Sequence, residues 1–510
     1  MGRPLAERAD CLIESPRRSS RLAWLLVVAA LAMVLLTALP RMDLAFGQSN
    51  DGFNDSVWGA DTRALREDGI VVSRLGGLRA DGTTYANHPP LIVVTTAAVE
   101  SVFGEHRWAT RLVPLVATMV AMVLLFLLGL ELGYHPISAG TGVLTAALTP
   151  MLLGFDTMLD TPVTSLPFGV AVLLLWQRRR RGRALPGWLE AIVAGLACLA
   201  GWQATLLVGG VAIAVAVAAL RREATWRALG PAMPMLIGGV VGVAASVAWP
   251  MWVYDGVGPL FEQFVHRTGS DGSGSLAEAA RFQAHQIRVL LGVAVVGLLG
   301  TFAALRRPSA RAVAAASLLI VAAHIALFHQ GALHDYWAYW VILPTAVGVA
   351  ELAETARELL LDRPRAWTGA LMALLALVLV TDALLPSSAA ETDAGAAPAA
   401  WLHDSDMPSD QSTVAVVGAI VDADPWIGYE TRRHSTAVSD VDDLAVRAAA
   451  RPDDIALLVG SCAYGAEGDL CRSIWAAGTR PGTGNDAYRV ATLAELETAA
   501  RDGAAHAPSD

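Results

Sequence analysis

Five aspartates stand where a carboxylate could do chemistry. Asp51, Asp55 and Asp61 lie in S-N-D-G-F-N-D-S-V-W-G-A-D-T-R-A-L-R-E-D-G, from Ser49 to Gly69, just past the first apolar run. Asp156 and Asp160 lie in F-D-T-M-L-D-T-P-V-T, from Phe155 to Thr164, between two later apolar runs. Carboxylates near membrane depth are costly and usually face a polar cavity. There a carboxylate can take a proton from an attacking hydroxyl. Asp156 and Asp160 are four apart and share a face if that segment is helical. The plainer readings are a helix N-cap for Asp160, ahead of Pro162, and the exposed face of an amphipathic helix for Asp61. His88 stands in Y-A-N-H-P-P-L, from Tyr85 to Leu91, where the Pro pair starts a helix and holds His88 at its N-terminus. Capping or packing is its alternative. In Q-G-A-L-H-D-Y-W-A-Y-W-V-I-L-P, from Gln330 to Pro344, His334 and Asp335 read as ligands for a phosphate or a sugar hydroxyl. Tyr336, Trp337, Tyr339 and Trp340 read as an interfacial aromatic belt. The segment from Tyr254 to Arg288, Gly/Ser-rich in its middle and carrying His266 and Arg267, reads as a lid or as an inert connector.

Membrane helices must position these residues. Hydrophobic residues make up 54% of the 510, charged residues 16%, and mean hydropathy is +0.47; a soluble chain carries about 25% charge. That excludes a disordered chain, a nucleic-acid binder and an ordinary cytosolic enzyme, and four cysteines exclude a disulfide-built scaffold. There is no P-loop, dinucleotide fingerprint or H-E-x-x-H motif. Every fixed positive side chain is Arg. The net charge of -10 is uneven: Ser387 to Asp510 carries -12 and the remainder +2.

The first span, Leu22 to Pro40, follows an Arg-rich segment, 1–21, and reads as a retained helix with a cytoplasmic N-terminus. Apolar runs follow at 111–132, 136–155, 162–177, 188–201, 203–220, 231–253, 286–305, 312–329, 336–352 and 367–386. The positive-inside rule puts the Arg clusters at 178–183, 221–227, 306–311 and 357–365 in the cytoplasm. It then requires 188–220 to be a hairpin turning at Gly201-Trp202-Gln203. It also requires 89–104, about 15 residues with Glu100 inside, to lie at the outer interface within a first external loop of 41–110. The expected fold is a polytopic α-helical protein with about eleven spans, its N-terminus inside and C-terminus outside. Beyond the body, 22–386, a linker at 387–410 leads to a small extracytoplasmic α/β domain at 411–510. That domain is expected to have strands at 412–421, 454–459 and 487–492 and helices at 440–450, 467–477 and 493–502. Cys462 and Cys471 fall on the oxidising side, as a disulfide or as two thiols.

This arrangement resembles the GT-C membrane glycosyltransferases, and within them the family of protein O-mannosyltransferases and lipid A aminoarabinose transferases. The resemblance covers about 20–390 and is strongest over 50–175. It rests on H-P-P-L at His88 to Leu91, F-G-E-H-R-W-A-T-R-L from Phe103 to Leu112, D-T-M-L-D-T-P at Asp156 to Pro162, and H-D-Y-W-A-Y-W-V-I-L-P from His334. The family's Asp-Glu pair in the first loop is absent; its place falls near Asn54-Asp55, with Asp51 as the other carboxylate. The resemblance implies a sugar donor on a polyprenyl phosphate and a glycan, lipid or protein acceptor outside the cell membrane. Transfer inverts the sugar, and Asp55 or Asp51 is the general base. His88, Asp156, Asp160, Arg111, His334, Asp335 and Tyr336 are the candidate substrate contacts. A divalent metal on Asp156 and Asp160 is left open, because family members differ. The alternatives are a transporter with intramembrane carboxylates, which usually shows repeat symmetry, and a non-catalytic anchor for the C-terminal domain.

Overall fold

The computed structural model describes residues 16–47, 50–79, 82–220, 232–270, 275–360, 369, 413–417, 428–430, 434–438, 440–459, 470, 474, 483–484 and 488–506. The expected span at 367–386, the linker 387–410, the helix-like run 467–477 and both Cys462 and Cys471 lie outside the described residues, apart from Gly369, Leu470 and Ile474. Two compact units divide the chain. The first comprises Met1–Met42, Leu65–Leu78 and Thr84–Ser388, and the second Asp43–Ala64, Arg79–Thr83 and Ala389–Asp510.

The first unit is helical. In chain order it holds α1 (Pro16–Ala38), the end of α2 (Asn50–Val72), α3 (Leu91–Phe103), α4 (Arg107–Leu132), α5 (Pro136–Ala147), α6 (Pro150–Phe155) and α7 (Thr161–Arg180). After these come α8 (Gly187–Ala200), α9 (Trp202–Leu220), α10 (Met233–Val253), α11 (Val257–Arg267), α12 (Leu276–Leu291), α13 (Val296–Ala304), α14 (Arg311–Leu327) and α15 (Ile342–Leu359). Ser20–Arg41, Arg107–Leu132, Met233–Val253 and Leu276–Ala304 are long and apolar enough to cross a membrane. Proline starts α5, α6 and α7, at Pro136, Pro150 and Pro162, where its missing N–H costs no helical bond. The 136–155 run is thus two helices, parted at Leu148 and Thr149. At Gly201 the backbone is extended (φ 172°, ψ 158°), so α8 and α9 are separate helices, broken where the Arg flanks require.

Helix α3 has 13 residues, about 20 Å at 1.5 Å per residue, against a hydrocarbon core of about 30 Å. That length suits a helix at the interface. Its Glu100 accepts from Thr110 Oγ1 (2.8 Å) on α4 and from Arg66 Nη1 (3.1 Å) near the end of α2, tying three helices at one carboxylate. Elsewhere glycine lets helices touch backbone to backbone. A Cβ on Gly348 of α15 would overlap the Gly297 carbonyl of α13, and one on Gly300 would overlap the Gly348 carbonyl. Without a hydrophobic drive between helices in lipid, such close contact is what holds them together.

The second unit carries a five-stranded sheet of order β2-β1-β3-β5-β4, with β1 Thr413–Val417, β2 His434–Ala437, β3 Ile455–Val459, β4 Thr483–Gly484 and β5 Tyr488–Thr492. Strands β2, β1 and β3 are parallel, and β5 runs antiparallel to both β3 and β4. Parallel neighbours need a crossover; α16 (Val441–Ala450), capped by Asp440 on the Asp443 amide, lies between β2 and β3 in the chain. With α17 (Leu493–His506) it buries Leu444, Ala448, Leu496 and Ala500 in one apolar cluster.

Candidate active site

In the first unit the Y-A-N-H-P-P-L loop is held on three sides. The Ala86 amide donates to Tyr254 Oη (2.9 Å), and that hydroxyl donates to Asn87 Oδ1 (2.9 Å). Trp202 Nε1, at the break between α8 and α9, donates to the Asn87 carbonyl (2.9 Å). His88 is thereby set against the start of α7, its Nδ1 3.3 Å from Thr161 Oγ1, with the Trp337 ring 6.4 Å away. Burial, and then the positive charge of Arg267, lowers its pKa from 6.5 to about 3. His88 is therefore a neutral imidazole at physiological pH, able to donate from one nitrogen and accept on the other.

Asp160 caps α7: its Oδ1 accepts from the Thr161 amide (2.6 Å) and lies 3.4 Å from Thr161 Oγ1. Thr161 thus links the H-P-P-L loop to the second acidic loop. Asp156 lies four residues earlier, fully buried, and Arg41 donates to its Oδ1. Asp156 Oδ2 is buried and has no hydrogen-bond partner among the described residues. Burial raises the Asp156 pKa from 3.8 to about 7, against the lowering pull of Arg41. A buried acceptor without a donor is unstable by about 1–3 kcal/mol, which a substrate hydroxyl would relieve. Arg111 is buried too, but its Nη1 donates to the Arg41 carbonyl (2.7 Å), so it braces the turn that carries Arg41. Among the described residues no three His, Cys, Asp or Glu side chains gather as a metal-binding group, and the Asp156 considered with Asp160 for a metal is paired with Arg41.

The late aromatic segment departs from the expected lipid-facing belt. Tyr336, Trp337, Tyr339 and Trp340 are all buried. Their rings, and two of their polar groups, have interior partners instead. Trp340 Nε1 donates to the Pro162 carbonyl (3.0 Å), Tyr339 Oη lies 3.3 Å from Thr118 Oγ1, and Trp337 stacks on His324 at 4.5 Å. Tyr336 meets Phe155 edge-on at 5.9 Å and His334 by stacking at 5.4 Å. Asp335 Oδ1 accepts from the Tyr336 amide, and Gln283 Nε2 donates to the His334 carbonyl (2.6 Å). Trp337 Nε1 is a buried donor with no hydrogen-bond partner among the described residues. The described part of 254–288 is largely helical, as α11 and most of α12, with 271–274 of its Gly/Ser-rich middle outside the described residues, and Arg267 acts electrostatically on both His88 and His334.

In the second unit the Asp55 side chain is fully buried on the first turns of α2. The Asp51 side chain lies outside the described residues. Asp61 is not on an exposed face, as the sequence suggested, but fully buried. Its Oδ1 accepts from Arg79 Nε (2.7 Å), and Arg79 Nη2 also donates to the Val57 carbonyl (3.2 Å). The charged partner, 18 residues on, is what allows Asp61 to be interior.

Residues 87–252, which hold the H-P-P-L loop and the second acidic loop, match the family described as dolichyl-phosphate-mannose-protein mannosyltransferase. No curated protein matches the chain by sequence. Among solved structures, the fold is similar to ArnT from Cupriavidus metallidurans bound to undecaprenyl phosphate, with a TM-score of 0.62 at 15% identity, over 93% of this chain and 98% of that one. It is also similar to the archaeal oligosaccharyltransferase AglB from Archaeoglobus fulgidus, in complex with an inhibitory peptide and a dolichol-phosphate. There the TM-score is 0.61 at 11% identity, over 90% of this chain and 71% of that one. The chain has the GT-C fold of membrane glycosyltransferases. Within this GT-C chain, His88 and Asp160 meet at Thr161, while Tyr336 and Asp335 lie along the neighbouring aromatic segment. Sequence reasoning missed Arg41, Thr161 and the buried role of Trp337. Arg41 did carry a signal: it is an arginine at the expected outer end of the first span, against the positive-inside bias.

Proposed function

We propose that this GT-C chain transfers a sugar from a polyprenyl-phosphate donor to an acceptor hydroxyl on the outer side of the cell membrane. The reading rests on one juxtaposition: the H-P-P-L loop and the second acidic loop, far apart in sequence, meet through His88 and Thr161. Beside them Asp156 keeps a buried oxygen without a donor among the described residues. The family match over 87–252 and the ArnT and AglB likenesses support the same donor class.

In this proposal Asp55 or Asp51 takes the proton of the acceptor hydroxyl. The hydroxyl oxygen attacks the anomeric carbon, the bond from that carbon to the phosphate oxygen breaks, and the configuration inverts. The polyprenyl phosphate leaves with the bonding pair, and a cation stabilises its added charge. Arg267, which acts electrostatically on the neutral His88, is the cation assigned to this role. Asp156 Oδ2 accepts from a donor hydroxyl. The N-terminus lies in the cytoplasm, and the site and C-terminal domain lie outside.

The test is transfer by the purified chain from a panel of radiolabelled polyprenyl-phosphate sugars, with Asp51→Asn, Asp55→Asn, Asp156→Asn and Asp160→Asn alongside. Turnover of one donor, lost in Asp55→Asn or Asp51→Asn, identifies the sugar and the base together. Absence both of turnover and of undecaprenyl-phosphate binding would sink the proposal.

A further inference from the structure

The second unit contains a grip on the helix that bears Asp55. Gly59 lies one helical turn after Asp55 and Arg63 one turn after Gly59, so the three positions run down one side of α2. At Gly59 the place of a side chain is taken by the ring of Tyr429: a Cβ built there would lie 2.6 Å from Tyr429 Cε2 and 3.1 Å from Cζ. The Arg63 guanidinium lies over the same ring, 4.3 Å from its centroid, and Nη2 donates to the Tyr429 carbonyl (2.8 Å). Phe46 closes the ring from another side at 5.1 Å, and its amide donates to Glu430 Oε1 (3.3 Å). Phe46 and Tyr429 are both buried. A ring inserted where only glycine leaves room fixes the helix both in rotation about its axis and in position along it. Arginine stacking on that ring adds a cation–π attraction, and the backbone bond prevents the ring from sliding.

We propose that Tyr429 is a positioning residue for the general base: the C-terminal part of the chain sets the roll of α2 and through it the aim of the Asp55 carboxylate. This rests on the proposed transferase reading for its effect on rate, but not for its effect on the helix. The C-terminal segment is then part of the catalytic apparatus rather than a passive appendage. A base displaced by about 1 Å loses on the order of 10²-fold in rate, whereas donor affinity is set by other groups.

The test uses the full chain in nanodiscs, as wild type and as Tyr429→Phe, Tyr429→Ala and Gly59→Ala. Gly59→Ala is the milder change, because it displaces the ring by one methyl and leaves Tyr429 in place. Hydrogen–deuterium exchange of residues 50–64 is read first, since it needs no donor. Exchange there should rise in Tyr429→Ala and Gly59→Ala and stay at the wild-type level in Tyr429→Phe. Unchanged exchange in both overturns the positioning, whatever the enzyme turns over. With the donor found in the transfer panel, both variants should lose about 10- to 100-fold in kcat with donor KM within threefold, and Tyr429→Phe should retain wild-type kcat. Unchanged kcat also overturns the proposal. So does parallel loss of kcat and of undecaprenyl-phosphate binding, which would make Tyr429 a prop of the whole fold. A wild type that neither turns over a donor nor binds undecaprenyl phosphate would refute the transferase reading and leave the exchange result to decide the positioning.

Discussion

Replacing Arg41 with Met should destabilise the protein in a manner that grows with pH. Asp156 is fully buried, and its pKa stands at about 7 even with Arg41 donating to it. Removing an opposite charge at this range raises a carboxyl by about 1–3 units, so in Arg41→Met the Asp156 pKa should move to about 9. A group whose folded pKa lies above its unfolded value lends relative stability at low pH and loses it as pH rises. For the wild type that loss levels off above about pH 7; for the variant it continues to about pH 9. At 1.36 kcal/mol per unit, the variant's added deficit from Asp156 is negligible at pH 6, about 1 kcal/mol at pH 7.5 and about 2 kcal/mol at pH 8.5. Loss of the Arg41 bond to the Gly154 carbonyl (3.2 Å) adds a pH-independent offset. The assay is reversible unfolding in mixed detergent–SDS micelles from pH 6 to 9, on wild type, Arg41→Met, Asp156→Asn and the double variant. The pH-dependent part should disappear in the Asp156→Asn background. A deficit that is the same at pH 6 and pH 8.5, or one that persists without Asp156, would refute the coupling.

Other outcomes follow from buried groups and close packing. Asp61→Asn should destabilise by about 3 kcal/mol by removing the buried carboxylate that accepts from Arg79, and Asp61→Asn with Arg79→Met should recover part of it; chemical unfolding of the four proteins measures the coupling. Burial raises Glu100 from 4.5 to about 6 despite Thr110 and Arg66. The Glu100 contribution to stability should therefore be greatest below about pH 4.5 and fall by about 2 kcal/mol as pH rises through 6, and Glu100→Gln should remove that part of the slope while leaving the part due to Asp156. Gly348→Ala should cost about 1–3 kcal/mol by forcing α13 and α15 apart, while Gly209→Ala, with nothing within 4 Å, should be neutral in the same melt.

What the sequence revealed was local or periodic. The break at Gly201 followed from two Arg flanks and a glycine, and the shortness of α3 from the length of its apolar run. The two loops that meet at Thr161 were visible as motifs, because prolines and aspartates at helix starts leave a signature in adjacent residues. What the sequence hid depends on partners far away in the chain. Arg41 and Asp156 are 115 residues apart, and nothing in either neighbourhood names the other. Arg63 and Tyr429 are separated by 366. Trp337 and Trp340 looked like belt residues because a belt and a buried aromatic cluster have the same composition; only the acceptors at Pro162 and the stacking on His324 distinguish them. Asp61 looked exposed for a related reason, since its burial depends on Arg79 returning from the next loop.

The Arg41–Asp156 pair also bears on how the chain is made. In the proposed topology Arg41 is carried across the membrane with the end of the first helix, and its counter-charge is 115 residues further along. At about 5–20 residues per second, translation leaves that arginine without its carboxylate for roughly 6–23 s. During that interval the arginines before the apolar stretch that starts at Leu22 oppose an inverted insertion. The chain therefore depends on its N-terminal cations as a holding signal until the second acidic loop emerges. Removing them should produce inverted chains.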